Sequence, residues 1–347
     1  MTTRPWATRI STPPPTPEPV PALPAGGTAP PARRRLHVGA SALGTVISVL
    51  ALGAVVWWAL QQEPPRLPST RQQLAALLGA VALYALATVV RAERWHALLV
   101  ADGAAPRRAD SYALTVVGYA TNNLLPARAG DAVRVVLMAP RADTSKRTVL
   151  GTLLAERLLD VAVVLLLFAI VGYGILGAIG GGSLGLALGV VAAVAVLGAG
   201  AVALLWRRPR AQAFLVPILS STAGLRSRLG AAMLGVTLLV WAIEAGVWMA
   251  VGAAVGFHMD PIEGTYLVAL ASVFALIPSG PGYAGTQDAA AVIGIRALGG
   301  AGSVAVAYLV TLRFVIVVPI TVAGLILAAA RYGGVRRLRA SRAEASG

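Results

Sequence analysis

The chain has 347 residues, 57% of them hydrophobic and only 12% charged, with no cysteine and a formal net charge of +15. Several apolar runs exceed the ~20 residues that cross a ~30 Å hydrocarbon core, and a soluble fold of this size carries roughly twice the charge, so this is the composition of an integral membrane protein. The lack of cysteine excludes disulfides and thiolate chemistry; the wide separation of His37, His96 and His258 argues against a histidine metal or acid–base site. The arginines cluster at the ends of apolar runs, where anionic lipid headgroups, and not nucleic acid, are the natural counter-charge.

Residues 1–36 are rich in proline ("STPPPTPEPVPALP") and predict a disordered cytoplasmic tail. Arg33, Arg34 and Arg35 precede an apolar run over His37–Leu60. That run is long enough to span and ends in no clear A-x-A site, which fits an uncleaved signal anchor. Five further runs, Gln72–Arg91, Val149–Gly177, Leu184–Trp206, Leu229–Gly256 and Gly302–Ala330, bring the expected spans to six. Two more regions, Ser111–Pro140 and Gly264–Leu298, are apolar but interrupted. Each fits either one crossing or a re-entrant hairpin.

Loop charge separates these readings. With the N-terminus cytoplasmic, Arg91, Arg94, Arg107 and Arg108 form a basic inner loop after the second span. A spanning Ser111–Pro140 would put Arg141, Lys146, Arg147, Arg207, Arg208, Arg210, Arg226 and Arg228 outside; as a hairpin it keeps them all inside. A second hairpin over Gly264–Leu298, dipping from the outside, leaves Arg331, Arg336, Arg337, Arg339 and Arg342 in the cytoplasm. The first arm, Ser111–Leu125, is only ~22 Å long as a helix, short of the core.

The expected architecture is therefore all-α: six transmembrane helices and two oppositely oriented re-entrant helical hairpins over residues 37–330, then a basic cytoplasmic tail over 331–347. Span, span, hairpin, span recurs with every direction reversed. Broken segments at matching positions of inverted halves point to a transport site between the halves. The repeat rests on topology, since the halves share no convincing residue identity. The location implied is a bacterial-type plasma membrane, multi-pass, with both termini cytoplasmic.

The polar residues concentrate in three places. In "NNLLPARAGDAVR", Pro126 breaks the helix and Gly130 relaxes the turn. Arg128, Asp131 and Arg134 follow at i, i+3 and i+6, roughly on one helix face, while Asn122 and Asn123 end the preceding half-helix, whose exposed carbonyls need donors. The alternative is a solvated cytoplasmic loop. In "IPSGPGYAGTQD", Pro278, Gly280, Pro281, Gly282 and Gly285 interrupt the run beside Ser279, Thr286, Gln287 and Asp288. Free N–H groups at such a turn make an anion cradle, unless this is a plain tight turn. In "AERLLD", Glu156 and Asp160 share a face ~12 and ~18 Å along the helix from Thr148, with Arg157 able to pair with Asp160. Charges at that depth face a bundle interior or wet cavity. Glu244 and Arg313 sit near mid-span, so a Glu244–Arg313 or Asp160–Arg313 pair is expected, serving either function or helix fastening. Trp57, Trp58, Trp95, Trp206 and Trp241 read as interfacial or ordinary apolar residues.

Taken together, "LLPARAGDAVR", "AERLLD" and "IPSGPGYAGTQDA", in this order, resemble the transmembrane region of lysylphosphatidylglycerol synthases, over about residues 40–330. This flippase-like family also occurs as stand-alone proteins and attached to some glycosyltransferases. The resemblance implies a polytopic module associated with moving lipids, such as aminoacylated phospholipids or polyprenyl-phosphate-linked sugars, between leaflets. By motif position it implicates Pro126, Arg128, Gly130, Asp131 and Arg134, then Glu156, Arg157 and Asp160, then Pro278, Pro281, Gly282 and Gly285. Asp131 stands where the family often has Glu, and Asp288 lies farther from the Gly-rich turn than the family's usual acidic residue. Only seventeen residues follow Ala330, which leaves no room for a soluble aminoacyl-transfer domain, so lysyl transfer is not expected.

The expectation is a lipid transporter with no catalytic residue, cofactor or metal. Arg128, Arg134, Arg157 and Arg313 would hold a phosphate, with Asn123, Asp131, Gly282 and Gly285 beside it. Pro126, Gly130, Pro278 and Pro281 would shape the moving hairpins, and Asp131, Glu156, Asp160, Glu244 or Asp288 would carry a coupled proton. Partners are anionic membrane lipids and, in one alternative, a synthase or glycosyltransferase that this chain positions without catalysis. A second alternative is a headgroup-modifying enzyme using Asp131, Glu156 and Asp160 around a divalent ion.

Overall fold

The computed structural model describes residues 49–125, 128–178, 228–276 and 280–333, with single positions at 46, 189, 200 and 207. The N-terminal tail, the start of the first expected span, the span expected over Leu184–Trp206, Pro126, Pro278 and most of the basic C-terminal tail lie outside these residues. The described residues are helical, without a strand. In chain order they form α1 (Val49–Ala59), α2 (Arg71–Ala101), α3 (Arg108–Leu124), α4 (Ala129–Met138), α5 (Lys146–Ala178), α6 (Arg228–Ala254), α7 (Pro261–Phe274), α8 (Thr286–Ala297) and α9 (Gly302–Tyr332). A short 3-10 turn, Pro281–Tyr283, precedes α8.

Local chemistry sets the boundaries. Thr70 and Gln73 cap α2 reciprocally, and Asp260 and Glu263 do the same for α7, with Pro261 at its first position. Gly333, at φ 72°, closes α9 in the left-handed conformation that glycine adopts at least cost.

Helices α2, α6 and α9, at 31, 27 and 31 residues, are long and apolar enough to cross a membrane, which makes this a multi-pass membrane protein. Helix α5 is 33 residues long but carries Glu156, Arg157 and Asp160 in its first half. By contrast α3, α4, α7 and α8 have 17, 10, 14 and 12 residues, which is ~15–25 Å and short of the hydrocarbon core. One sequence expectation is corrected here. Helix α2 does not end near Arg91 but runs on to Ala101, because Arg91 and Arg94 find carboxylates on other helices and so need no aqueous loop.

Helices α2 and α6 pack antiparallel through the centre: Gln73 approaches Gly256, Leu83 approaches Gly246, and Arg94 bonds Thr237. Helices α3 and α4 fold back as a hairpin, as do α7 and α8, where Gly294 meets Leu267 and Leu270. The packed pairs come in matched sets. The pairs α2–α3, α3–α4, α4–α5 and α3–α9 have counterparts in α6–α7, α7–α8, α8–α9 and α7–α5. The two halves thus share one packing plan.

A large apolar core joins α6 to α9 around Trp248, Leu267, Ile295 and Tyr308, whose hydroxyl donates to the Trp248 carbonyl at 2.9 Å. A smaller cluster around Trp95, Leu99, Leu114, Met138 and Val149 ties α2 to α5. Trp95 is thus a core residue and not an interfacial one. Outward-facing Leu78, Leu86, Leu325 and Ile326 remain exposed, as a lipid-facing surface requires.

The α3–α4 hairpin depends on a glycine contact. A Cβ on Gly130 would collide with the Gly118 carbonyl, and Gly130 N–H donates to Asn122 Oδ1 at 2.8 Å. Gly130→Ala should therefore force the hairpin apart and cost about 3 kcal/mol, the upper range for overpacking. Gly235→Ala, where a Cβ meets nothing within 4 Å, should be neutral or slightly stabilising. Thermal unfolding in detergent distinguishes them, and equal behaviour of the two would refute the contact's importance.

Candidate functional site

The tips of the two hairpins meet, and a cavity of about 240 Å3 opens beside them. The first tip brings Asn122, Asn123 and Arg128, the second Ala275, Gly282 and Tyr283. Walls come from Tyr84 and Arg91 on α2, Arg157 and Asp160 on α5, and Trp241, Glu244 and Trp248 on α6.

Both tips carry backbone strain. Arg128, which caps α4, has φ 53°, and Tyr283 has φ 57°. Bulky residues rarely adopt this region, and its cost is commonly met at functional sites. These two residues touch: the Arg128 guanidinium lies 5.2 Å from the Tyr283 ring centroid and donates to the Ala275 carbonyl at 3.4 Å. Gly282, at φ 60°, makes the turn on which Tyr283 stands.

Beside the cavity lies a network of charges. Arg94 clasps Asp160 with two hydrogen bonds of 2.8 and 3.0 Å, donates to Thr237 at 2.8 Å, and lies 3.5 Å from Glu156. Such forked pairing is the strongest form of carboxylate recognition. Glu156 also accepts from Arg134 at 3.1 Å, and the Arg134 guanidinium stacks 4.0 Å over the Trp95 ring. Asp131 lies 3.3 Å from Arg157 and 3.8 Å from Arg134; Arg157 and Asp160 are 3.9 Å apart. Arg91 binds Glu244 at 2.6 Å. Five guanidinium groups (Arg91, Arg94, Arg128, Arg134, Arg157) thus share this region with four carboxylates (Asp131, Glu156, Asp160, Glu244). Among the described residues, Arg128 is the member with no carboxylate.

A separate pair sits behind the second tip. Arg313 binds Asp288 and donates to the Gly282 carbonyl at 2.7 Å, while Asp288 accepts from Gly285 N–H at 2.8 Å. The anion cradle expected at this Gly-rich turn is therefore filled by the chain's own Asp288, three residues into the helix start.

Of the residues singled out from sequence, Asn123, Arg128, Arg157, Asp160, Glu244 and Gly282 line the cavity. Arg134 and Glu156 are buried beside it, Asp131 bridges to Arg157, and Gly130 packs the hairpin. Pro281 opens the 3-10 turn, while Gly285, Asp288 and Arg313 lie behind the second tip. Neither expected pair forms: Glu244 takes Arg91 and Asp160 takes Arg94, leaving Arg313 to Asp288. Asn122 does not attract donors to the end of α3; its side-chain oxygen caps the Gly130 N–H, and Asn123 donates to Thr321 at 3.0 Å.

Arg91 and Arg94 were the main residues missed, along with the cavity aromatics Tyr84, Tyr119, Trp248 and Tyr283. The signal was available, since the apolar pattern continues through Leu98 and Leu99 and no helix breaker intervenes before Gly103.

A family model described as the lysylphosphatidylglycerol synthase TM region matches residues 41–324. No curated protein and no solved structure matches the chain.

Proposed function

The chain belongs to the lysylphosphatidylglycerol synthase transmembrane-region family, and from that membership and the cavity we propose that it moves an anionic phospholipid or a polyprenyl-phosphate-linked lipid between membrane leaflets. The observation that carries this reading is Arg128: an arginine on a strained backbone, with no carboxylate partner among the described residues, at the point where two hairpin tips meet over a cavity. Arg128 is exposed beside the cavity, so a ligand phosphate can reach it without first breaking an ion pair. With one positive charge left over, the cluster is matched by a singly charged phosphodiester. Arg91 and Arg157, already partly neutralised, would widen the positive field, and Asn123 with the Gly282 backbone would flank the headgroup. Arg134 and Arg313, expected to hold phosphate too, act here as counter-ions to Glu156 and Asp288.

In this reading α3–α4 enters from the cytoplasmic face and α7–α8 from the opposite face of a bacterial-type plasma membrane. The short arms and the matched packing of the halves support an inverted repeat. Rocking of one half on the other would alternate access, driven by a gradient or by consumption of the lipid. Asp160 and Glu244 are the carboxylates that face the cavity, and a coupled proton on either would displace Arg94 or Arg91 from it. Asp131, Glu156 and Asp160 are each engaged by arginine, an arrangement that suits a charge network better than a site for a divalent ion.

The test is leaflet exchange of a fluorescent phosphatidylglycerol in proteoliposomes. Exchange above protein-free vesicles supports transport, whereas chemically altered lipid, or no exchange of any anionic lipid, defeats it. Topology has its own check, because the chain contains no cysteine. Asp143→Cys, in the α4–α5 connection, should react with an impermeant thiol reagent only from the cytoplasmic side; labelling from outside would remove the re-entrant reading.

A further inference from the structure

A second groove, of about 680 Å3, runs between α1 and α9. This lies within the ~300–1,000 Å3 typical of ligand-holding clefts. Its walls are hydrocarbon: Leu52, Val55 and Val56 from α1 face Val310, Phe314 and Val317 from α9. Its inner end is polar, formed by Asn123, Gly282 and the Asp288–Arg313 pair. Asn123 and Gly282 also line the central cavity, so these two residues form the partition between an apolar groove and a charged one.

We propose that this groove binds one hydrocarbon chain of a membrane lipid while the phosphate of the same molecule reaches Arg128 past the Asn123–Gly282 partition. The inference rests on the transport reading and adds the place where the chain travels. An amphiphile fits both halves of the feature. Its chain gains nothing from the charged cavity, and its headgroup cannot lie along the groove's apolar walls without losing its hydrogen bonds. The groove opens among residues that stay exposed, Leu52, Val310 and Phe314, on helices that face bilayer hydrocarbon in a membrane protein. An amphipathic segment or a second copy of this chain would have no use for the polar inner end, which meets a lipid at the junction of chain and headgroup. A Cβ on Gly282 would lie 3.6 Å from Asn123 Oδ1, and its left-handed backbone keeps the position free of a side chain.

The experiment uses the full chain in liposomes containing phosphatidylglycerol with a diazirine on its acyl chain, and adducts are mapped by mass spectrometry. Adducts are expected on Leu52, Val310 and Phe314, suppressed by excess unlabelled phosphatidylglycerol. Val310→Trp, which fills the groove, should lower them about tenfold, the effect of losing contact with roughly two methylenes. Adducts spread evenly over the outward Leu78, Leu86 and Ile326, or insensitive to competitor or to Val310→Trp, overturn the proposal. Arg128→Ala separates this from the headgroup reading: exchange should fall while groove adducts persist. Saturable groove adducts in a wild-type protein that exchanges no lipid would leave the groove standing and defeat transport.

Discussion

Replacing Glu156 with alanine is expected to lower stability by about 3–5 kcal/mol, the range for breaking a buried ion pair from one side. The Glu156 side chain is 1% exposed and stands between Arg94 and Arg134, themselves 0% and 1% exposed. Without it Arg94 keeps its forked bond to Asp160. Arg134 keeps only Asp131, at 3.8 Å, and the face of Trp95. Set against a total stability of about 5–15 kcal/mol, that loss is a large share of what holds the fold. Detergent-solubilised protein should melt roughly 5–10 °C lower, with reduced yield. Asp160→Ala should cost less, because Arg94 retains Thr237 and Glu156 and the Asp160 side chain is 14% exposed. The double variant Arg134→Met with Glu156→Leu removes cation and anion together, and buried pairs exchanged for apolar residues are often neutral. Its recovery toward wild-type melting would establish that the uncompensated charge causes the loss. A Glu156→Ala protein melting within about 2 °C of wild type would refute the account.

The fold and site were legible in the sequence wherever a residue acts locally. Hydropathy marks the long helices because a spanning segment must be apolar throughout. The "LLPARAGD" and "IPSGPGYAG" interruptions mark the hairpin turns because proline and glycine break helices without reference to distant residues. The match of residues 41–324 to the lysylphosphatidylglycerol synthase region spans all three motifs. What sequence did not fix is partner choice. Glu244, Asp160 and Arg313 were recognisable as intramembrane charges, but their pairing depends on how α2, α5, α6 and α9 pack. Arg91 and Arg94 looked like loop residues because arginine next to an apolar run usually marks its end; here the same residues sit inside α2 with carboxylates across from them. The occupied helix start is legible, since Asp288 stands three residues after Gly285 as a capping acid does.

Arg128→Gly is expected to separate transport from folding. The residue caps α4 at φ 53°, a conformation that costs an ordinary residue roughly 1–2 kcal/mol and glycine almost nothing. Glycine gives back about 0.5–1 kcal/mol through the freer unfolded chain, and losing the Tyr283 stack costs about as much again. These contributions nearly cancel, so stability should stay within about 1 kcal/mol of wild type. Function has no such offset. Among the described residues no carboxylate faces Arg128, and the neighbouring Arg91 and Arg157 are committed to Glu244 and Asp131. A charge-assisted hydrogen bond contributes about 1.5–3 kcal/mol, so leaflet exchange of phosphatidylglycerol should drop about 10–100-fold. Arg128→Lys should fall between, because lysine keeps the charge but not the planar fork that holds a phosphate with two bonds. Proteoliposome exchange and thermal unfolding, measured on the same preparations, give both readouts. A stable Arg128→Gly protein with wild-type exchange would take the headgroup away from Arg128. An Arg128→Gly protein that unfolds would mean that this strained turn serves the fold and not the lipid.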